Sequence, residues 1–217
     1  MKHFYLDIET EPNPKLIDLF MAGIKAPKTY KDELKIAEYI DKKKGDMIKG
    51  MSVDVDFCVI KCIGYKEDDE PAKIVTLEWL VDRFRKELAV QAETVGEFKA
   101  KHFFKVITFN GKKFDIPVII RECIRQKIDA PLLHFHQWTV KHNNNYSVDL
   151  MNLLGDGSFR TLDLYSKIYL DWPKKDIDFT TCTVEELHAH CIDDVEMTAE
   201  LAKIFEKLYS FDEVIRY

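Results

Sequence analysis

Met1-Lys2-His3-Phe4-Tyr5-Leu6-Asp7-Ile8-Glu9-Thr10 reads as a short apolar β-strand closing on two acids. Phe4, Leu6 and Ile8 alternate with Tyr5, Asp7 and Glu9. Successive side chains of a strand leave opposite faces, so the two carboxylates share one face. Carboxylates held side by side repel unless one takes a proton or a cation lies between them. A hard divalent ion with oxygen ligands answers that arrangement. Taken alone, the pair also fits an edge strand whose acids are solvated.

Beyond this strand, Glu11-Pro12-Asn13-Pro14 breaks regular structure. Residues from about Lys15 to Lys49 are polar and lysine-rich. They read as an excursion of two short helices and a loop, an insertion at about 15–49 in a single domain spanning 1–217. The Lys42-Lys43-Lys44 run suits a solvated surface better than phosphate contacts. Asp56–Tyr65, rich in β-branched and aromatic residues, predicts a second strand, and Ala72–Leu77 a third. These make an antiparallel meander with the first. Glu78–Val95 has helical spacing. His102–Phe109 is an apolar run, as in a parallel strand buried on both faces. Asn110-Gly111 turns the chain into a helix over Phe114–Gln126, with Pro117 in its first turn. A polar stretch from His134 to Asn145 leads to helical regions over Ser147–Leu154, Phe159–Leu170 and Thr183–Leu208, the last opened by a Thr183/Glu186 capping box. The pattern predicts an α/β domain on a mixed sheet.

The net charge of −6 argues against a protein that coats nucleic acid by bulk attraction. It leaves open an enzyme acting on nucleic acid, where bound cations offset an acidic site. No apolar run approaches the ~20 residues of a membrane helix, and few residues precede the first strand. The expectation is a cytoplasmic protein without a membrane partner. Cys58, Cys62, Cys123, Cys182 and Cys191 form no C-x-x-C pattern and read as small apolar residues in a reducing compartment.

Two further acidic stretches stand out. Asp115 follows a central strand at the opening of a helix. It is either an acid placed for the helix dipole or a third metal ligand where strand ends gather. Gly111 would let the backbone approach a ligand closely. In the last helix, His190 and Asp194 are four apart and share a face, among Asp193 and Glu196. Either these are solvated acids with a satisfied histidine, or Asp194 binds metal and His190 positions or deprotonates a water.

Asp7-Ile8-Glu9-Thr10, Asn110-Gly111-Lys112-Lys113-Phe114-Asp115 and His190-Cys191-Ile192-Asp193-Asp194-Val195 together resemble, in order and spacing, the three motifs of the DEDD superfamily of 3′–5′ exonucleases. With Val148-Asp149-Leu150-Met151 between them, they look like the free-standing exonucleases related to the proofreading domain of family B DNA polymerases. The resemblance implies an RNase H-like fold, with three antiparallel and then parallel strands flanked by helices. It implies that Asp7, Glu9, Asp115 and Asp194 hold two Mg²⁺ or Mn²⁺ ions ~4 Å apart. The substrate it implies is single-stranded DNA cut from its 3′ end to nucleoside 5′-monophosphates. Asn110 and the chain after Glu9, at Thr10, would meet the terminal sugar. Phe114 either stacks under the terminal base or belongs to the core.

One position departs from the family. Family B proofreading domains carry tyrosine four residues before the last aspartate, where this chain has His190. A histidine titrates near neutrality and acts as a general base. The other DEDD branch places histidine five residues before its aspartate, which makes His188 with Asp193 the alternative register. Lys112, Lys113, Arg121 and Arg125 supply local positive charge, some of it placed to meet phosphates, and Trp138, His142 and Asn143–Asn145 are candidates for a substrate channel. Three other readings stand beside this one. They are an exoribonuclease with the same chemistry, a non-catalytic RNase H-like binding module, and a mononuclear metal hydrolase using His134, His136 and His142.

Overall fold

The acidic strand lies in the middle of a five-stranded mixed sheet. The computed structural model describes residues 1–94, 104–141, 143–155 and 159–209. The strands are β1 (Lys2–Pro12), β2 (Cys58–Glu67), β3 (Lys73–Val75), β4 (Phe104–Thr108) and β5 (Ser147–Asp149), in the order β3-β2-β1-β4-β5. β4 runs parallel to β1, with Phe4 opposite Val106 and Tyr5 opposite Ile107. β5 is parallel to β4, and β3 antiparallel to β2. The helices are α1 (Ile17–Ala22), α2 (Glu33–Met51), α3 (Leu77–Thr94), α4 (Asp115–Gln126), α5 (Leu132–Trp138), α6 (Leu150–Leu154), α7 (Leu162–Tyr169) and α8 (Val184–Tyr209). The α/β expectation and its mixed sheet flanked by helices hold.

Alternation along β1 assigns the faces. Phe4 packs on Phe84 of α3 at 5.7 Å and on Phe104 of β4 at 5.3 Å, and Phe84 meets Trp138 of α5 at 4.9 Å. Tyr5 joins the opposite core, with Ile107, Val148, Leu162, Tyr165, Val195 and Leu201. Asp7 and Glu9 follow Tyr5 by steps of two and so leave the sheet on the α7/α8 side.

The chain divides into two compact units: Met1–Glu9 with the described part of Cys62–Tyr217, and Thr10–Lys61. In the second unit, Asn13 N–H donates to Phe57 O at 2.9 Å and the Phe20 and Phe57 rings meet at 5.0 Å. The expected lysine-rich insertion lies within this unit. Its second helix, α2, is not short but 19 residues long, with Asp32 capping its start and Lys42–Lys44 exposed.

Several boundaries differ from expectation. β1 continues through Glu11 to Pro12 instead of breaking there. Ser147–Asp149, read as the start of a helix, is the fully buried strand β5. The helix begins only at Leu150, where the Asp149 carboxylate caps it by accepting from Asn152 N–H at 3.3 Å. The polar stretch from His134 hides α5, whose Phe135 and Trp138, three apart, are both buried. Trp138 is therefore core, not channel. The capping box forms as expected: Thr183 N–H donates to Glu186 Oε2 at 2.8 Å, and Glu186 N–H to Thr183 Oγ1 at 3.1 Å. Val95, His102, Phe103 and His142 lie outside the described residues.

The seat of α8 depends on a glycine. A Cβ at Gly64 of β2 would stand 2.7 Å from Val195 Cγ2 and 2.9 Å from Cys191 Sγ. Without one, α8 drops onto the sheet, and the Cys191 thiol reaches Asp7 O at 3.8 Å. Gly64→Val should destabilise the fold by ~2 kcal/mol, the scale of core overpacking, measured as a lower urea midpoint.

Candidate metal centre

Three elements of the first unit bring acids together. β1 supplies Asp7 and Glu9, the start of α4 supplies Asp115, and the middle of α8 supplies His190 and Asp194. Asp115 Oδ1 accepts from Ile8 N–H at 3.1 Å, which ties α4 to β1 between the two strand acids. The Cys191 thiol lies 3.7 Å from Asp7 Oδ2. His190 Nε2 lies 3.7 Å from Glu9 Oε1 and 4.0 Å from Asp194 Oδ2. Glu9, His190 and Asp194 each offer a ligand atom, all within 4.8 Å of one another. His190 is 6% exposed, Asp194 5% and Asp115 4%.

Electrostatics mark the cluster as charge held at a cost. Burial first, then the charges of Asp115, Asp194 and Glu9, push Asp7 well above the ordinary carboxylate range. Burial and Asp194 raise Glu9 to about 8. Burial raises Asp115 to about 7, against the stabilising hydrogen bonds from its own N–H and that of Ile8. Asp194 is raised by burial too, although Lys174 pulls it down. His190 is held below its ordinary value by burial and by the Lys174 ammonium, so it is neutral at neutral pH.

Lys174 is a neighbour of the acid cluster that sequence reasoning missed. Its Nζ donates to Asp194 Oδ2, and its own N–H donates to Asp163 Oδ1 at 3.1 Å. It sits in the irregular segment between α7 and α8. A lysine pair after Trp172-Pro173 carries no periodicity that would point to the acids. Asn110 adopts φ 65°, and its Oδ1 is buried without a hydrogen-bond partner among the described residues. Asp149 holds this turn, accepting from Asn110 N–H at 2.9 Å and Lys112 N–H at 3.1 Å. Gly111 permits a close approach to Thr108: a Cβ there would lie 2.7 Å from Thr108 Cγ2. Phe114 is half-buried at the start of α4, beside Asp115.

Lys112 is buried, and its Nζ donates to Val140 O, Asn143 O and Asn144 Oδ1 at 2.8–3.2 Å, so it braces a loop instead of facing phosphate. Arg125 pairs with Glu122 at 2.9 Å, and Arg121 donates to Pro117 O at 3.2 Å. Glu196 accepts from Ala72 N–H at 2.8 Å and pairs with Lys66, apart from the cluster. Thr10 belongs to the second unit, where its hydroxyl donates to Ser52 O at 2.5 Å. His188, Asp193 and His134 are half-buried and His136 is exposed, and all four lie outside the metal-capable group found among the described residues. No known family model and no curated protein matches this chain.

The raised carboxylates set a pH dependence. Between the ordinary values near 4 and the raised ones, the folded state keeps protons that the unfolded state has released, so stability falls as pH rises. The metal-free chain should lose melting temperature from about pH 5 to about pH 8. Asp115→Asn keeps an acceptor for Ile8 N–H and removes one charge. It should raise the metal-free melting temperature near pH 8 by ~3 °C, or about 1 kcal/mol, and flatten the profile, read by calorimetry in chelator.

Proposed function

We propose that the chain is a metal-dependent 3′–5′ exonuclease on an RNase H-like fold, acting on single-stranded DNA. The observation that carries the reading is the convergence of Asp7, Glu9, Asp115 and Asp194 from three separate elements into one mutually repelling cluster. The donor set fits hard divalent ions. Four carboxylates supply oxygen, and Asp194 Oδ1 is buried without a hydrogen-bond partner among the described residues. The mixed sheet with acids on a central strand supports the RNase H-like assignment. The motif resemblance supports DNA as the polymer, and the free cysteines suit a reducing, cytoplasmic setting.

Bound Mg²⁺ or Mn²⁺ would supply an activated water for attack on the terminal phosphodiester and offset charge at the leaving 3′-oxygen. The chain's own residues do the positioning. Asp7, Glu9, Asp115 and Asp194 hold the ions, and Ile8 N–H fixes the Asp115 carboxylate. Neutral His190 presents a nitrogen lone pair to the same space. Asn110 Oδ1, without a hydrogen-bond partner among the described residues, is an acceptor for the terminal sugar hydroxyl, and Phe114 beside it offers a ring to the last base.

The test offers 5′-labelled single-stranded DNA and RNA of one sequence with Mg²⁺, Mn²⁺ or chelator. The expected result is a ladder shortening from the 3′ end of DNA, abolished by chelator. Asp7→Ala and Asp115→Ala should each lower turnover at least ~100-fold, with the circular dichroism spectrum unchanged. Near wild-type turnover in either variant removes the proposal, and cleavage of RNA alone moves it to the exoribonuclease.

A further inference from the structure

The acid cluster contains one donor that is not oxygen. His190 Nε2 is buried and has no hydrogen-bond partner among the described residues. It faces Glu9 Oε1 at 3.7 Å and Asp194 Oδ2 at 4.0 Å, too far for a hydrogen bond to either. A buried nitrogen that makes no hydrogen bond is destabilising unless another donor–acceptor contact compensates it. The other side of the ring is satisfied by a hydrogen bond to the Lys175 backbone. A bond of that kind made by Nδ1 would leave the lone pair on Nε2. The Phe179 ring meets the imidazole at 5.4 Å and 83°, which restrains its plane. Histidines that bind metals are held in this way, one nitrogen on the ion and the other donating to a backbone carbonyl or carboxylate.

We propose that His190 bonds through Nε2 directly to the ion shared by Glu9 and Asp194, which makes this a mixed nitrogen–oxygen site for a first-row divalent transition ion in preference to Mg²⁺. The inference rests on reading the acid cluster as a metal centre. Donors bonded to one ion at ~2.0–2.2 Å lie ~3–4 Å apart, so the three groups need little rearrangement to close on it. Lys174 engages Asp194 Oδ2 and leaves Oδ1 open. Mg²⁺ keeps to oxygen and holds its waters, whereas imidazole suits the first-row ions. A tyrosine in this slot offers no such nitrogen, so the histidine changes which ion the site takes.

The experiment is pulsed electron paramagnetic resonance of Mn²⁺ bound to the untagged full chain, with calorimetric titration of Mn²⁺ and Mg²⁺. The expected spectrum carries coupling from a directly bound histidine nitrogen. That coupling disappears in His190→Gln, and the preference for Mn²⁺ over Mg²⁺ falls at least ~10-fold. Isotopic labelling of histidine nitrogen in the wild type identifies the source of the coupling even if the variant fails to fold. Mn²⁺ bound without nitrogen coupling overturns the inference and leaves the acid cluster standing as an all-oxygen site. Absence of binding by either ion overturns the metal-centre reading, and this inference with it.

Discussion

Like charges confined in a buried space are the constraint on which the rest of this molecule depends. Asp7, Glu9, Asp115 and Asp194 are all pushed upward by burial, and most of them by one another as well. An unpaired carboxylate in such surroundings is expensive, so the chain must either keep protons there or admit cations. A second charged cluster in the same unit gives the contrast. Lys2 and Arg83 meet Glu67 and Glu87 at 2.5–3.3 Å. Burial pushes these two glutamates up, but the cations override it and hold both below their ordinary range. Paired charges of that kind hold structure together. At the acid cluster the shift has the opposite sign, because too little positive charge faces the carboxylates to offset their burial.

Holding the repelling groups in place falls to neutral packing. β1 lies between β2 and β4, and an aromatic core of Phe4, Phe84, Phe104, Phe135 and Trp138 fills one face beneath it. On the other face, α8 is seated by Gly64 on β2 and by the apolar contacts of Val195 and Leu201. His190 and Asp194 are thus fixed from a helix whose buried stripe lies on the sheet. Asp149, buried and accepting from three backbone N–H groups, sets the turn that delivers Asp115.

The parts of this arrangement legible in the sequence were those with a period. Alternation placed Asp7 and Glu9 on one face, the four-residue step paired His190 with Asp194, and the capping box fixed the start of α8. Ser147–Asp149 was not legible as a strand, because three residues are too few to show alternation and the helix signal beyond Leu150 overran them. Trp138 and Lys112 were misread for a related reason. Each sits in a polar stretch, and only tertiary packing shows one buried in an aromatic core and the other bonded to three loop oxygens. The buried atoms without a hydrogen-bond partner among the described residues, Asp194 Oδ1, His190 Nε2 and Asn110 Oδ1, are properties of assembled geometry and leave no trace in residue order.

Lys174 shows how the cluster is tolerated without an ion. Its ammonium supplies one positive charge against four carboxylates, and its pKa is raised by Asp194, Asp7 and Glu9 in spite of its burial. One charge does not neutralise four, so protons must share the task at neutral pH, in keeping with the raised values of Glu9 and Asp115. Divalent ions entering the site would displace those protons and compete with Lys174 for Asp194. Its backbone is anchored separately, through Asp163 on α7. The segment that carries the ammonium is thus held by a bond independent of its contact with Asp194.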